Sequence, residues 1–390
     1  MNESILPAPE PEDLAVSLAL RQQICSAIDA ANGQLPFSDY MQLCLYSPGL
    51  GYYSAGKEKF GAAGDFITAP DISPLFAAAL ARHCVDALQQ TENGIVLEFG
   101  AGNGQLATDL LTQFVELECL PSRYCILETS PSLAEAQQQT IFARHPDLTD
   151  RVVWLDSLPA SFQGVVIANE VCDAMPVHRL EFTSQGCFEL AVTDDGDNLR
   201  WCHRRLPIQL QAFADQIQQL NQGARPYVTE VPLVASAWLN SLAETLQQGA
   251  VFIIDYGYPA SEYYLPERDQ GTLRCYYQHQ AHDNPLILHG LQDITTHVNF
   301  SALTETALSA DLDVSGFHYQ KDFLLAGGLA ELASEQMASS QDVFTQMKMA
   351  AALKRLLLPG QMGESFKVLS LSRDIELSRL CPMSDKRYLL

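Results

Sequence analysis

Three glycines on alternate positions, Gly100, Gly102 and Gly104, follow directly on an acidic strand end, Glu98-Phe99. Residues 94–99 read as a buried strand, and Leu106, Leu110, Leu111 and Phe114 recur at helical spacing beyond the glycines. A strand, a glycine turn and a helix in that order aim the free N–H groups of a helix start at whatever lies over the strand's end. Glycine lets the backbone approach such a ligand with no Cβ in the way. Four more short apolar runs end in polar groups: Glu128, Asp156, Asn169-Glu170 and Asp255. Carboxylates at such an edge accept hydrogen bonds from the polar groups of a ligand. The competing reading is structural, a ligand-free turn with acids that cap the helix after each strand.

Two nucleotide-like ligands compete for the turn. The dinucleotide pattern G-x-G-x-x-G/A fails from Gly100, because position 105 is Gln, and passes from Gly102 only through Ala107. The pattern E/D-x-G-x-G-x-G of S-adenosyl-L-methionine (SAM) methyltransferases is matched at every position by Glu98 through Gly104. SAM has no pyrophosphate, so such a loop packs against its methionine and ribose portion. An NAD-linked oxidoreductase is therefore the weaker reading. A catalytically inactive methyltransferase fold, kept as an assembly or scaffold factor, would need neither all of these glycines nor all of these acids.

The chain has 390 residues, a formal charge of −24 and 47% apolar residues. That length accommodates several domain-sized units, or one domain with large insertions. So acidic a chain offers little basic surface to neutralise phosphates, which disfavours nucleic acid and anionic membranes as partners and favours a basic protein segment. The ten cysteines form no C-x-x-C pair and no spacing against His that would hold a metal, so reduced thiols and no metal centre are expected. The acidic N-terminus resembles neither a secretory signal nor a transit peptide, and no apolar run approaches the ~20 residues of a membrane span. A bacterial-type cytoplasmic setting follows as the expectation.

The elements that must position the chemistry come in a readable order. Residues 1–13 are Pro- and Glu-rich and read as a disordered tail. Helical patterns at 14–31 and 38–46 lead to a long loop without periodicity, from Gly51-Tyr52-Tyr53 to Pro70, whose Asp65 and Thr68 suit a lid or ligand loop. Ser73-Pro74 starts the next helix, with Ser as N-cap and Pro at the first helical position. Strands are expected at 94–99, 124–128, 151–155, 164–168 and 250–254, with helical crossovers, hence a parallel α/β sheet with ligands at its carboxyl edge. A hairpin of 187–192 with 199–204 turns at Asp194 to Asn198, and a helix follows at 207–220. Residues 311–319 and 366–371 would close the sheet as a final hairpin, with helices between 323 and 358. The expected division is an N-terminal helical region with the Gly-rich loop at 14–93, then one sheet domain at 94–390. That domain carries insertions at about 173–231 and 258–312. His83 reads as a structural helix residue.

The chain resembles the MidA-type SAM-dependent methyltransferases, which include the mitochondrial complex I assembly arginine methyltransferase. The resemblance rests on Gly51-Tyr52-Tyr53, residues 64–70, Glu98 to Gly104, Asn169-Glu170-x-x-Asp173-Ala174-Met175-Pro176, Asp255-Tyr256-Gly257, Gly271-Thr272-Leu273, and Asp293-Ile294-Thr295 leading to Asn299-Phe300. One departure is Asp71, where Glu is expected. The resemblance implies a class I, Rossmann-like seven-stranded sheet with an N-terminal helical extension and substrate-side insertions. It also implies SAM as cofactor and methylation of an accessible arginine in a protein, for example a respiratory-complex subunit. In that reading Gly100, Gly102 and Gly104 line SAM and Glu128 accepts from the ribose hydroxyls. Asp156 lies near the adenine amino group, Glu98 and the loop from Asp65 to Thr68 close over the methionine end, and Asn169 is a further cofactor-binding residue. A guanidinium is cationic and a poor nucleophile, so acids are expected around it. Glu170 is then the orienting base, with Asp173 and Asp255 assisting and Glu181 and Glu230 as further candidates.

Overall fold

The computed structural model describes residues 6–55 and 68–390, and the chain folds into two compact units. One, the sheet unit, takes Phe60–Cys172, Trp238–Gly257 and Leu303–Leu390. The other, the insertion unit, takes Met1–Lys59, Asp173–Ala237 and Tyr258–Ala302. Both expected insertions thus join the N-terminal helices in one body. The helix Pro74–Leu88, read from sequence as part of the N-terminal region, belongs to the sheet unit and packs into its core.

The sheet unit is built on seven strands: β1 Ile95–Phe99, β2 Tyr124–Leu127, β3 Val152–Leu155, β4 Phe162–Asn169, β5 Leu246–Tyr258, β6 Asp313–Tyr319 and β7 Phe366–Arg373. Their spatial order is β6-β7-β5-β4-β1-β2-β3. The first five are parallel, and β7 pairs antiparallel with both β5 and β6. This is the doubly wound, seven-stranded sheet that the resemblance implies, closed by an antiparallel pair, with helices between β6 and β7 as expected. Strands covered on both faces must be apolar throughout, and Ala250 to Ile254 on β5 are wholly buried. Val96, Tyr124, Ile126, Val165, Ile167, Phe252 and Ile254 share one core.

Four helical segments bear on the site: α1 Ala69–Ile72, α2 Pro74–Leu88, α3 Gln105–Glu116 and α4 Pro131–Arg144. Ser73 caps α2 through its hydroxyl, which accepts from Leu75 N at 3.2 Å, and Pro74 opens the helix. On α3, Leu106, Leu110, Leu111 and Phe114 face the core as their spacing predicts. His83 on α2 stacks on Phe323 with ring centroids 3.9 Å apart and donates from Nε2 to the Phe323 carbonyl at 2.9 Å. Burial lowers its pKa to about 4, so it is a neutral structural group.

In the insertion unit the hairpin Gly186–Asp194 with Leu199–Arg205 forms as expected. Asp195 Oδ1 pins its turn by accepting from Asp197 N and Asn198 N. The sequence reading missed a strand, His178–Thr183, which pairs with Gly186–Asp194 on one side and Tyr227–Val231 on the other. Its alternation is present, with Leu180 and Phe182 buried, but a six-residue run inside an insertion is easily taken for loop. Arg274–Tyr277 sits between Gln280–His282 and Asp293–Thr295 in a small antiparallel sheet.

The parallel strands stand very close at their amino ends, where Gly249, Gly164 and Ile95 lie side by side on β5, β4 and β1. A Cβ on Gly164 would lie 1.9 Å from the Ile95 carbonyl oxygen, and one on Gly249 would lie 1.8 Å from that of Gly164. Gly164 also has φ +138°, a conformation L side chains avoid. Gly164→Ala should therefore lower the unfolding free energy by about 2–3 kcal/mol, the upper range for overpacking. Urea denaturation monitored by far-UV circular dichroism checks this; an unchanged midpoint would disprove it.

Candidate active site

The strand register lines up the carboxyl ends of the sheet. Phe99 pairs with Leu127 and Ala168, Leu127 with Leu155, and Asn169 with Ile254. One residue further on, Asp156, Glu128, Gly100, Asn169 and, on β5, Asp255 therefore form one edge. Gly100, Gly102 and Gly104 all have positive φ, at +58°, +54° and +82°. Gly104 occupies the N-cap of α3, where a Cβ would come within 3.0 Å of Gln137 Cα. Asn103 supplies the cap that glycine cannot: its Oδ1 accepts from Gln105 N at 3.0 Å. Its Nδ2 donates to Asp71 Oδ1 at 2.9 Å, tying the glycine turn to α1.

Glu128 is half-buried at the end of β2. Its Oε1 accepts from Ser130 N and its Oε2 from Gln137 Nε2, both at 2.9 Å. Burial raises its pKa and these hydrogen bonds oppose the rise. The helix that follows is capped by Ser130, whose Oγ accepts from Leu133 N. Asp156 is exposed, and residues 156–161 run into β4 without a helix, so no helix is there for it to cap. Glu98 is 2% exposed and accepts from the Tyr124 hydroxyl at 2.6 Å. Burial pushes its pKa up to about 7, with the Tyr124 hydrogen bond opposing and the Glu128 charge reinforcing the rise.

At the end of β4, Glu170 has φ +53°, a left-handed conformation costing a non-glycine residue on the order of 1 kcal/mol. Its N–H donates to Ile254 O at 2.9 Å. Its Oε1 lies 3.4 Å from both Ala69 N and Asn169 Nδ2, so α1 and β4 meet at this carboxylate. Thr68 Oγ1 donates to Asp71 Oδ2 at 2.9 Å. The carboxylate of Asp71, the departure noted in the sequence, thus joins Thr68 to Asn103, a link the sequence analysis did not see. Asp65 lies outside the described residues. Asp255 is fully buried; Oδ2 accepts from Cys172 N at 3.0 Å and Oδ1 from Tyr256 N at 2.9 Å. It holds the loop that carries Glu170. The Tyr256 ring lies against Phe366, 5.5 Å between centroids.

Asp173, Glu181 and Glu230 belong to the insertion unit. Asp173 is buried, and its carbonyl accepts from Thr296 N at 2.9 Å. Glu181 pairs with His203 at 2.6 Å. Glu230 is fully buried, with Oε2 accepting from Thr272 N at 2.8 Å, Thr272 Oγ1 at 3.0 Å and the Tyr263 hydroxyl at 3.3 Å. Its Oε1 faces Arg179 Nε at 3.4 Å and the bare Cα of Gly271, where a Cβ would lie 2.2 Å from that oxygen. The Gly271-Thr272 motif is therefore the seat of Glu230.

The edge presents acceptors that suit the polar groups of SAM. Among the described residues, Asn169 Oδ1 is buried with no hydrogen-bond partner, an acceptor that an ammonium group could use. The sequence analysis missed Gln137, which is wholly buried on α4 and donates to both Gly102 O and Glu128. Its only sequence signal is a polar residue on the buried side of an otherwise weakly patterned helix.

Glu98 predicts a pH effect. The folded chain keeps its proton up to about pH 7, while an unfolded chain releases it near 4.5. Between these values the folded state binds more protons, so rising pH lowers stability, by on the order of 3 kcal/mol in all. Glu98→Gln keeps an acceptor for Tyr124 and cannot titrate. In ligand-free protein, its unfolding free energy relative to wild type should climb from about pH 5 to about pH 8. Parallel pH profiles of the two proteins would overturn this.

A family model for SAM-dependent methyltransferases matches residues 79–318. The zebrafish (Danio rerio) protein arginine methyltransferase NDUFAF7, mitochondrial, is 27% identical over 395 residues, covering 94% of this chain and 89% of its own. The human (Homo sapiens) protein of that name is 25% identical over 393 residues, covering 93% and 85%. A Burkholderia thailandensis protein crystallised with S-adenosyl-homocysteine is 41% identical and superposes with a TM-score of 0.93, covering 99% of this chain and 100% of its own. Glycine turn, sheet order and these likenesses agree: the chain belongs to the MidA-type family of SAM-dependent methyltransferases.

Proposed function

We propose that this methyltransferase methylates the guanidinium of an arginine in a protein substrate. The observation that carries the reading is Glu170, held in a left-handed conformation at the end of β4 with its carboxylate anchored by Ala69 and Asn169. SAM, when bound, supplies an electrophilic methyl group on a sulfonium. Gly100, Gly102 and Gly104 would pass its methionine and ribose portion along bare backbone. Glu128 would accept from the ribose diol and Asp156 from the adenine amino group. Glu98, Asn169 and Thr68, together with Asp65, would serve the methionine end.

The chain's remaining task is to align a weak, cationic nucleophile. Glu170 orients the guanidinium through charge-assisted hydrogen bonds and receives the proton that the methylated nitrogen sheds. Asp255 keeps the Glu170 loop in place. The −24 charge favours a basic protein segment, and the arginine specificity named for the vertebrate relatives supports the same class. A subunit of a respiratory complex is one such substrate. Ten cysteines without a disulfide suit a reducing cytoplasm.

The test is incubation with SAM and arginine- or lysine-containing peptides and candidate basic proteins, with methylated residues read by mass spectrometry. Mono- or dimethylarginine is expected; transfer to lysine alone, or to small molecules alone, would overturn the arginine reading. Glu170→Gln should lower kcat by about 10²-fold or more with SAM affinity intact. Glu170→Gly should be equally inactive yet as stable as wild type, or up to about 1 kcal/mol more stable, because glycine relieves the left-handed strain. A Glu170→Gly protein with wild-type turnover would remove Glu170 from the chemistry.

A further inference from the structure

Gln137 is 0% exposed on α4, between the glycine turn and the ends of β2 and β3. Its amide nitrogen donates to Gly102 O at 3.0 Å and to Glu128 Oε2 at 2.9 Å, while its Oε1 accepts from the Trp154 indole N–H at 2.9 Å. The orientation of the amide has one solution. A carbonyl and a carboxylate can only accept, and an indole N–H can only donate. Reversing the amide would break all three bonds at once in a buried site. The neighbouring backbone is matched to it, since a Cβ on Gly104 would lie 3.0 Å from Gln137 Cα.

We propose that Gln137 is a positioning residue that sets the enzyme's preference for an intact ribose, acting through Glu128 rather than by touching the cofactor. The inference rests on the reading of Glu128 as the ribose acceptor. Ser130 N–H and the Gln137 amide hold one carboxylate oxygen each, so the rotation of the carboxylate is fixed before any ligand arrives. A diol then meets two acceptors of set spacing without the entropy of ordering them. The second Gln137 N–H fixes the Gly102 carbonyl, coupling the height of the glycine turn to the aim of Glu128. Trp154 on β3 locks the amide from behind, so three adjacent strands converge on one side chain.

The experiment is calorimetric titration of the full chain with S-adenosyl-homocysteine and with its 2′-deoxy analogue. The readout is the ratio of the two dissociation constants, which general loosening of the fold would not change. Wild type should prefer the ribose form, and Gln137→Leu should shrink that preference by about tenfold, the worth of one charge-assisted hydrogen bond. Trp154→Phe, which leaves Gln137 in place but unlocks it, should shrink it less. In a Glu128→Gln background, Gln137→Leu should cause no further loss of preference. Equal weakening of both ligands by Gln137→Leu, or by Trp154→Phe if the first variant does not fold, would overturn the proposal and leave Gln137 a packing residue. A wild-type preference untouched by Glu128→Gln alone would instead refute the ribose reading of Glu128, and the role of Gln137 with it.

Discussion

The site depends on the register of five parallel strands. Parallel strands end on one edge, and hydrogen-bonded pairing sets how far each end projects. Phe99, Leu127, Leu155, Ala168 and Ile254 stand within a residue of one another in register, so the ends of β1 to β4 and the Asp255 segment of β5 meet at one level. The close approach at Gly249, Gly164 and Ile95 keeps the opposite ends aligned as well. A slip of one residue in any pair would turn its terminal side chain to the other face. The apolar cores on both faces forbid that slip, and so the hydrophobic effect holds the chemistry in place indirectly.

Along that edge the fold divides its acids by what their oxygens are asked to do. Asp255 spends both oxygens on backbone N–H groups and serves as a brace. Glu98 is buried against a tyrosine hydroxyl and half-neutral near pH 7, so it adds little fixed charge next to Glu128. Glu128 and Glu170 are half-buried and anchored from the protein side. Unshielded neighbouring carboxylates would repel each other; neutralising one, bracing with another and anchoring two keeps the edge acidic without scattering it.

The insertion unit follows the same economy with different means. Glu230 is enclosed by Thr272, Tyr263 and Arg179, and Glu189, also wholly buried, is held by His178 and Arg204. Buried acids of this kind are tolerated only with every oxygen partnered. Their positions on the strands Gly186–Asp194 and Tyr227–Val231 show that a strongly acidic sequence need not mean a strongly acidic surface at each residue.

The sheet, the glycine turn and the row of polar strand ends were legible in the sequence, because apolar periodicity and glycine's access to positive φ are local properties. Residues 94–116 declare a strand, a turn and a helix without outside help. At the level of the individual acids the sequence was silent. Glu98, Glu128, Glu170 and Asp255 look alike as residues after apolar runs. Only tertiary packing decides that Tyr124 reaches Glu98, that Cys172 N–H reaches Asp255, and that Asp71 bridges Thr68 and Asn103. Gln137 was invisible for the same reason: its three partners lie on three different elements. The left-handed backbone of Glu170 carries no local signal either, since a glutamate does not choose that conformation; the hydrogen bonds around it impose it. The sequence by itself determined which groups stand at the edge, and the tertiary structure decided which of them remain available for chemistry. A hydrogen-bond partner is chosen by distance in space, which spacing along the chain does not encode.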